Sequence, residues 1–78
     1  MQKIRKDPTL GANIRRLRLT LGLTQEQVAA KMQVLNCDIS RSTYAKIEAG
    51  IANIKVSELI ALSKIFHADM NEFFEGID

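Results

Sequence analysis

TQEQVAAKMQVLNCDISRSTYAKIEAG, residues 24 to 50, holds two short segments of helical periodicity, each opened by a hydroxyl residue, the second closed by Gly50. Thr24 can cap a helix, with Gln27 returning the hydrogen bond and the preceding Leu23 placed to pack on Val28. Ser40 repeats the cap with Ile39 and Tyr44 as the apolar pair, although Thr43 is a poor partner for the return bond. The second segment is unusual in its first turn. Ser40, Arg41, Ser42 and Thr43 are all polar, and Lys46 follows one turn after Ser42. Donors and acceptors gathered at the leading end of a helix suit a surface that must meet another polar molecule.

Outward from this stretch, apolar residues recur at three- and four-residue steps almost throughout, which predicts helices. Leu10, Ile14, Leu17 and Leu21 share one face of a first helix, Arg15, Arg16 and Arg18 lie elsewhere on it, and Gly22 supplies its stop. Val56, Leu59, Leu62, Ser63 and Phe66 form the inner face of a fourth helix ending near His67. Ala68 and Asp69, with Glu72 and Phe73, give the cap and apolar staple a third time. The pattern predicts helices at residues 9–21, 24–35, 40–49, 55–66 and 70–75 with no strand signals, an all-α fold.

With 78 residues, 46% of them hydrophobic, and only four Gly and one Pro, the chain reads as one compact domain over residues 9–78 behind a basic arm, 1–8. A domain this small buries roughly 60% of its unfolded surface, so few apolar side chains can be spared from packing. That favours a binding module over an enzyme with a deep pocket. Cys37 is the only cysteine, no run approaches a membrane span, and the first residues lack the apolar core of a signal peptide. A soluble cytoplasmic protein is expected. The net charge of +2 is unevenly spread. Lys3, Arg5, Lys6, Arg15, Arg16, Arg18, Lys31 and Arg41 outnumber Asp7, Glu26 and Asp38 in the first 41 residues, whereas acids prevail beyond them. The basic half is a candidate polyanion footprint, although a solvated basic face is the commoner explanation of such a charge pattern.

Two short adjacent helices with a brief connection, the second polar at its leading end, form a helix-turn-helix, in which the second helix enters the DNA major groove. Arg41 can pair bidentately with a guanine edge, while basic residues outside the reading helix supply affinity by releasing counterions.

The stretches NIRRLRLTLGLTQEQVAAKM and SRSTYAKIEAG, followed by VSELIALSKIFHADMNEFF, resemble the lambda-repressor-like helix-turn-helix proteins of the Cro/CI and XRE type. The resemblance spans residues 10 to 75 and implies a five-helix bundle that binds operator DNA, commonly as a homodimer. It implies that Gln25, at the start of the second helix, contacts a phosphate and braces the reading helix. Arg41, Ser42 and Lys46 fall at base-reading or nearby phosphate positions, with Ser40 and Thr43 beside them. Backbone amides near Ile51 and Ala52 would hold a second phosphate, and Lys55 joins the basic set that follows. Arg18 and Glu48 would pair as a partly buried salt bridge, preferred over two solvated charges because an unpaired charge there is costly.

Two departures stand out. About five extra residues near LNCDI separate Thr24 from the Ser40 cap, so either the second helix gains a turn or the connection becomes a longer loop. Asn36 or Asp38 could then face DNA, although Asp38 beside phosphate would be repulsive. His67 stands where glycine commonly ends the fourth helix, and histidine adopts the left-handed conformation only at some cost.

Bland readings accompany the sharp ones. His67 lacks companions for a metal or acid-base role, and Cys37 reads as a small half-buried thiol. Lys3, Arg5 and Lys6 fit a phosphate-tracking arm or a frayed terminus alike. Phe73, Phe74 and Ile77 are expected to close the core, although a small domain cannot hide every one of them, while Leu19, Ile51 and Ile60 are candidates for an exposed dimer surface. The expectation is a DNA-binding transcriptional regulator of repressor type, with no catalytic group, cofactor, metal, membrane or small-molecule ligand. The alternative is a protein-interaction module on the same fold, an antitoxin-like or anti-repressor partner.

Overall fold

The computed structural model describes residues 8 to 77. Among these, the chain forms five helices and no strand: α1 (Pro8–Thr20), α2 (Gln25–Val34), α3 (Arg41–Glu48), α4 (Val56–Phe66) and α5 (Met70–Phe73). The basic residues Lys3, Arg5 and Lys6 lie outside the described residues.

Each helix start has a local cause. Pro8 opens α1, where a missing N–H costs nothing. Thr24 Oγ1 accepts from the Gln27 amide at 3.0 Å, and Gln27 Oε1 accepts from the Thr24 amide at 2.8 Å, the reciprocal pair the sequence predicts. Asp69 and Glu72 do the same for α5, Glu72 Oε2 accepting from the Asp69 amide at 2.8 Å. Ser40 Oγ accepts from the Thr43 amide at 3.1 Å, but no side chain returns the bond; Ser40 Oγ instead donates to Thr43 Oγ1 at 3.1 Å.

The first four helices end alike. Gly22, Asn36, Gly50 and His67 turn left-handed, with φ of 69°, 65°, 77° and 53°. The next amide then reaches back five residues: Leu23 to Arg18 O, Cys37 to Met32 O, Ile51 to Lys46 O and Ala68 to Ser63 O, at 2.9 to 3.2 Å. These bonds satisfy carbonyls that a helix end otherwise leaves without partners. The glycines adopt the conformation freely, whereas Asn36 and His67 carry a Cβ into it. The structure thus resolves the lengthened connection: α2 stops at Val34, and residues 35–40 form a loop.

α1 packs against α3 and α5, and α2 against α3 and α4, so α3 lies between α1 and α2. Ile14, Val28, Met32, Tyr44, Leu62 and Phe73 are fully buried at the centre, and the Phe66 and Phe73 rings stack at 6.4 Å. Leu23 packs on this core, and Ile39 and Ala68 lie within it, in keeping with the three apolar staples. Two contacts had no sequence signal. A Cβ built on Gly11 would stand 2.4 Å from the Glu48 carbonyl oxygen, so α1 and the end of α3 touch backbone to backbone. Buried Asn13 donates through Nδ2 to the carbonyls of Phe73 (2.8 Å) and Glu75 (2.9 Å), tying α1 to the end of α5.

Two expectations for the core fail: Leu21 and Val56 are exposed by 47% and 48%, and of the three C-terminal residues that could not all be hidden, Phe74 is the one left exposed, by 38%. Leu21 and Val56 sit at the turns that end α1 and begin α4, where the periodic face runs past the neighbouring helix; Phe73 alone fills the space offered to the two phenylalanines. Leu19, Ile51 and Ile60 are exposed, as expected. No helix among the described residues is long and apolar enough to cross a membrane.

Candidate nucleic-acid interface

α3 has two faces of different chemistry. Tyr44, Ile47 and Glu48 are buried, whereas Arg41, Ser42, Thr43 and Lys46 are exposed. This follows from the spacing: 44, 47 and 48 lie together on one side of a 3.6-residue helix, leaving the leading turn outward. Ser40 is exposed too, but its hydroxyl is engaged on both sides by the cap and by Thr43. The Thr43 hydroxyl accepts from Ser40 and keeps its own proton to donate.

The buried face is anchored by charge. Arg18 holds Glu48 in a fork, Nε to Oε2 at 2.7 Å and Nη2 to Oε1 at 3.1 Å, and spends Nη1 on the Leu23 carbonyl at 2.8 Å. Gln25, the first residue of α2, donates from Nε2 to Glu48 Oε1 at 3.1 Å. One carboxylate therefore joins α1, α2 and α3. Burial alone would raise the Glu48 carboxyl, but the hydrogen bonds, that of Arg18 foremost, outweigh it and hold it below its ordinary range. The same bond to Glu48 raises Arg18 further. The Tyr44 hydroxyl is buried close to this pair without an aligned hydrogen-bond partner. Burial, then the Glu48 carboxylate, push its proton affinity up, so it stays neutral.

Gln25 and Arg41 come together. They line one open groove with Arg18, Leu19, Glu26 and the turn from Gly22 to Thr24. The groove lies at the N-terminus of α2, where free amides and the helix dipole favour an anion. Ile51 is 63% exposed just after α3, but its amide already donates to Lys46 O at 3.0 Å. Lys55 lies apart, in a cleft of about 420 Å³ between the α2–α3 loop and α4 that also holds Leu35, Asp38, Ile60 and Lys64. Its backbone amide donates to Glu58 Oε1 at 2.8 Å, which begins α4.

Sequence reasoning missed one residue beside the site. Gln33, on the last turn of α2, donates from Nε2 to the Ile39 carbonyl at 3.2 Å, immediately before the Ser40 cap. A glutamine on an exposed position carries no signal until the loop conformation is known. Among the described residues, no group of three His, Cys, Asp or Glu side chains is arranged to hold a metal ion.

Comparison with known proteins agrees with this architecture. Two uncharacterized HTH-type transcriptional regulators, of Rickettsia conorii and Rickettsia prowazekii, are each 31% identical over all 78 residues. The chain spans 57% and 55% of their lengths, little more than half. Among solved structures, the restriction-modification controller protein C.AhdI from Aeromonas hydrophila superimposes with a TM-score of 0.75 at 25% identity, covering 86% of this chain and 94% of that one. The helix-turn-helix family pattern matches residues 14 to 73, within which all of α2, α3, α4 and α5 lie, and the chain belongs to this helix-turn-helix family, of XRE type.

Proposed function

We propose that α3 enters the DNA major groove and that Arg41, Ser42 and Lys46 read bases or the phosphates beside them. The observation that carries this is the shared groove: Arg41 at the leading end of α3 and Gln25 at the N-terminus of α2 face one space. A base-reading and a phosphate-holding group are thereby set side by side. Thr43 has a hydroxyl proton for either partner, while Ser40 serves the reading helix as its cap. The second phosphate contact, proposed near Ile51, passes to the Ala52 amide, because the Ile51 amide closes α3. Lys55 acts as a long-range cation and not as a reader.

The proposal extends to a homodimer on a two-fold-related operator, supported by exposed Leu19, Ile51 and Ile60, and to a cytoplasmic regulator without catalytic activity. Residues 9–78 form its binding domain behind a basic arm, 1–8, of which residues 1–7 lie outside the described residues and Pro8 begins α1. The same exposed apolar residues support a second reading, a protein-interaction module of antitoxin-like or anti-repressor kind. Selection of bound sequences from a random duplex library at moderate salt separates the two. An inverted-repeat consensus is expected; no enrichment by folded protein would favour the interaction module.

A further inference from the structure

Six residues separate α2 from α3, enough chain for the reading helix to tilt unless the loop is fixed. It is fixed at several points. The Cys37 amide bonds Met32 O at 2.9 Å, the Ile39 amide bonds Cys37 O at 2.9 Å, and the Ile39 side chain is buried in the core. Cys37 Sγ also leans on the Ser57 carbonyl at 3.7 Å. Among the described residues, one side-chain bond reaches from the body of α2 to the peptide that begins α3. That bond is Gln33 Nε2 to Ile39 O, at 3.2 Å.

The Ile39 carbonyl belongs to the same rigid plane as the Ser40 amide nitrogen, because a peptide unit does not twist. Holding that carbonyl sets the direction in which the Ser40 cap and then Arg41 leave the loop. The lever is considerable. The far end of α3 is pinned at Glu48 by Arg18 and Gly11, so a loosened start swings about that end: over eight residues at about 1.5 Å per residue, a tilt of roughly 5° moves Arg41 by about 1 Å. Base readout depends on donor–acceptor distances confined to a few tenths of an ångström. Gln33 itself is exposed and makes this one bond from outside the core, so it contributes little to holding the fold.

We propose that Gln33 is a positioning residue for DNA reading: its side-chain amide orients the leading end of α3 and thereby sets sequence discrimination without touching DNA. The proposal rests on α3 being the reading helix. Asn36 and Asp38, exposed in the same loop, are then carried by it as solvent-facing residues and not as readers.

The test uses the full chain as wild type, Gln33→Met and Gln33→Lys. Methionine keeps length and neutrality but has no donor, and lysine restores an N–H donor of similar reach. A site is first selected from random duplexes with wild type. Each protein is then measured for the ratio of its affinities for that site and for random duplex, across several salt concentrations, and for its melting temperature. Gln33→Met should lose roughly tenfold in the ratio, with the salt slope unchanged and melting within a few degrees of wild type. Gln33→Lys should recover most of the ratio, in which its added charge largely cancels. An unchanged ratio for Gln33→Met, or an equal loss in Gln33→Lys, would overturn the proposal. So would a Gln33→Met protein that folds poorly, since the bond would then belong to the fold. Failure of wild type to select any site would instead remove the reading helix itself, and Gln33's role with it.

Discussion

Arg18 and Glu48, thirty residues apart, meet at 2.7 Å with both side chains more than nine-tenths buried, and this pair fixes α1 to the end of α3. Removing one partner strands the other in a poorly solvated site. Glu48→Ala is expected to cost about 3 to 5 kcal/mol, a fall in melting temperature of at least roughly 12 °C for a domain of this size. Arg18→Met combined with Glu48→Leu should recover much of that loss, since no lone charge remains buried. Thermal unfolding followed by circular dichroism decides; an unaltered Glu48→Ala midpoint contradicts the pairing.

The same carboxyl gives stability a pH dependence. Its folded-state pKa lies below the ordinary 4.5, so the stabilisation is fully present above that value and disappears as pH falls through the lower, folded one. Wild type should therefore lose melting temperature in acid more steeply than Glu48→Gln, which has no proton to take up there. Unfolding midpoints from pH 7 down to pH 2 for both proteins provide the check; parallel curves would show that Glu48 is not a principal acid-sensitive group.

Gly11 is a second fixed point. Alanine there would gain helix propensity worth up to about 1 kcal/mol, yet its methyl would fall 2.4 Å from one backbone oxygen and 2.6 Å from another. Backbone cannot step aside as a flexible side chain can. Gly11→Ala should be destabilising by about 1 to 3 kcal/mol, measured by denaturant titration, despite the favourable propensity.

His67 predicts the opposite sign. Its φ of 53° suits glycine, so His67→Gly should stabilise by about 0.5 to 1 kcal/mol after the entropy of the freer unfolded chain is subtracted. Asn36→Gly should gain less, because asparagine tolerates the left-handed region. Matched melting curves test both, and a lower midpoint for His67→Gly would mean that the imidazole makes a compensating contact.

On DNA, Arg41→Ala and Lys46→Ala should differ in kind. Loss of Arg41 is expected to relax preference at one base position by roughly 1 to 3 kcal/mol with the fold intact. If Lys46 meets phosphate, Lys46→Ala should weaken all sequences alike and reduce the salt slope by about one. Competition binding on single-base variants of a selected site separates these outcomes.

Much of this architecture is legible in the chain itself, because its signals are local. Thr24 with Gln27, Ser40, and Asp69 with Glu72 announce helix starts, and each begins its helix within a residue of the predicted place. The Arg18–Glu48 pair is legible only by family resemblance, since nothing local links residues so far apart. Leu21 and Val56 show where periodicity fails: it gives the side of a helix, but not how far a neighbour extends to cover it. Gly11, Asn13 and Gln33 escaped notice for a related reason. Each acts through a backbone carbonyl, and a carbonyl leaves no mark in the side-chain sequence. The role of Arg41 follows from its place at a helix start, whereas its meeting with Gln25 in one groove depends on the angle set by the six-residue loop.

The separation of the two faces of α3 carries a consequence for how such a protein diversifies. Tyr44, Ile47 and Glu48 keep the helix in place, together with a backbone contact at Gly11 that no mutation of α3 side chains can alter. Positions 41, 42, 43 and 46 are consequently exchangeable without repacking. A duplicated copy of the gene could acquire a new target through a handful of outward codons while inheriting its folding unchanged.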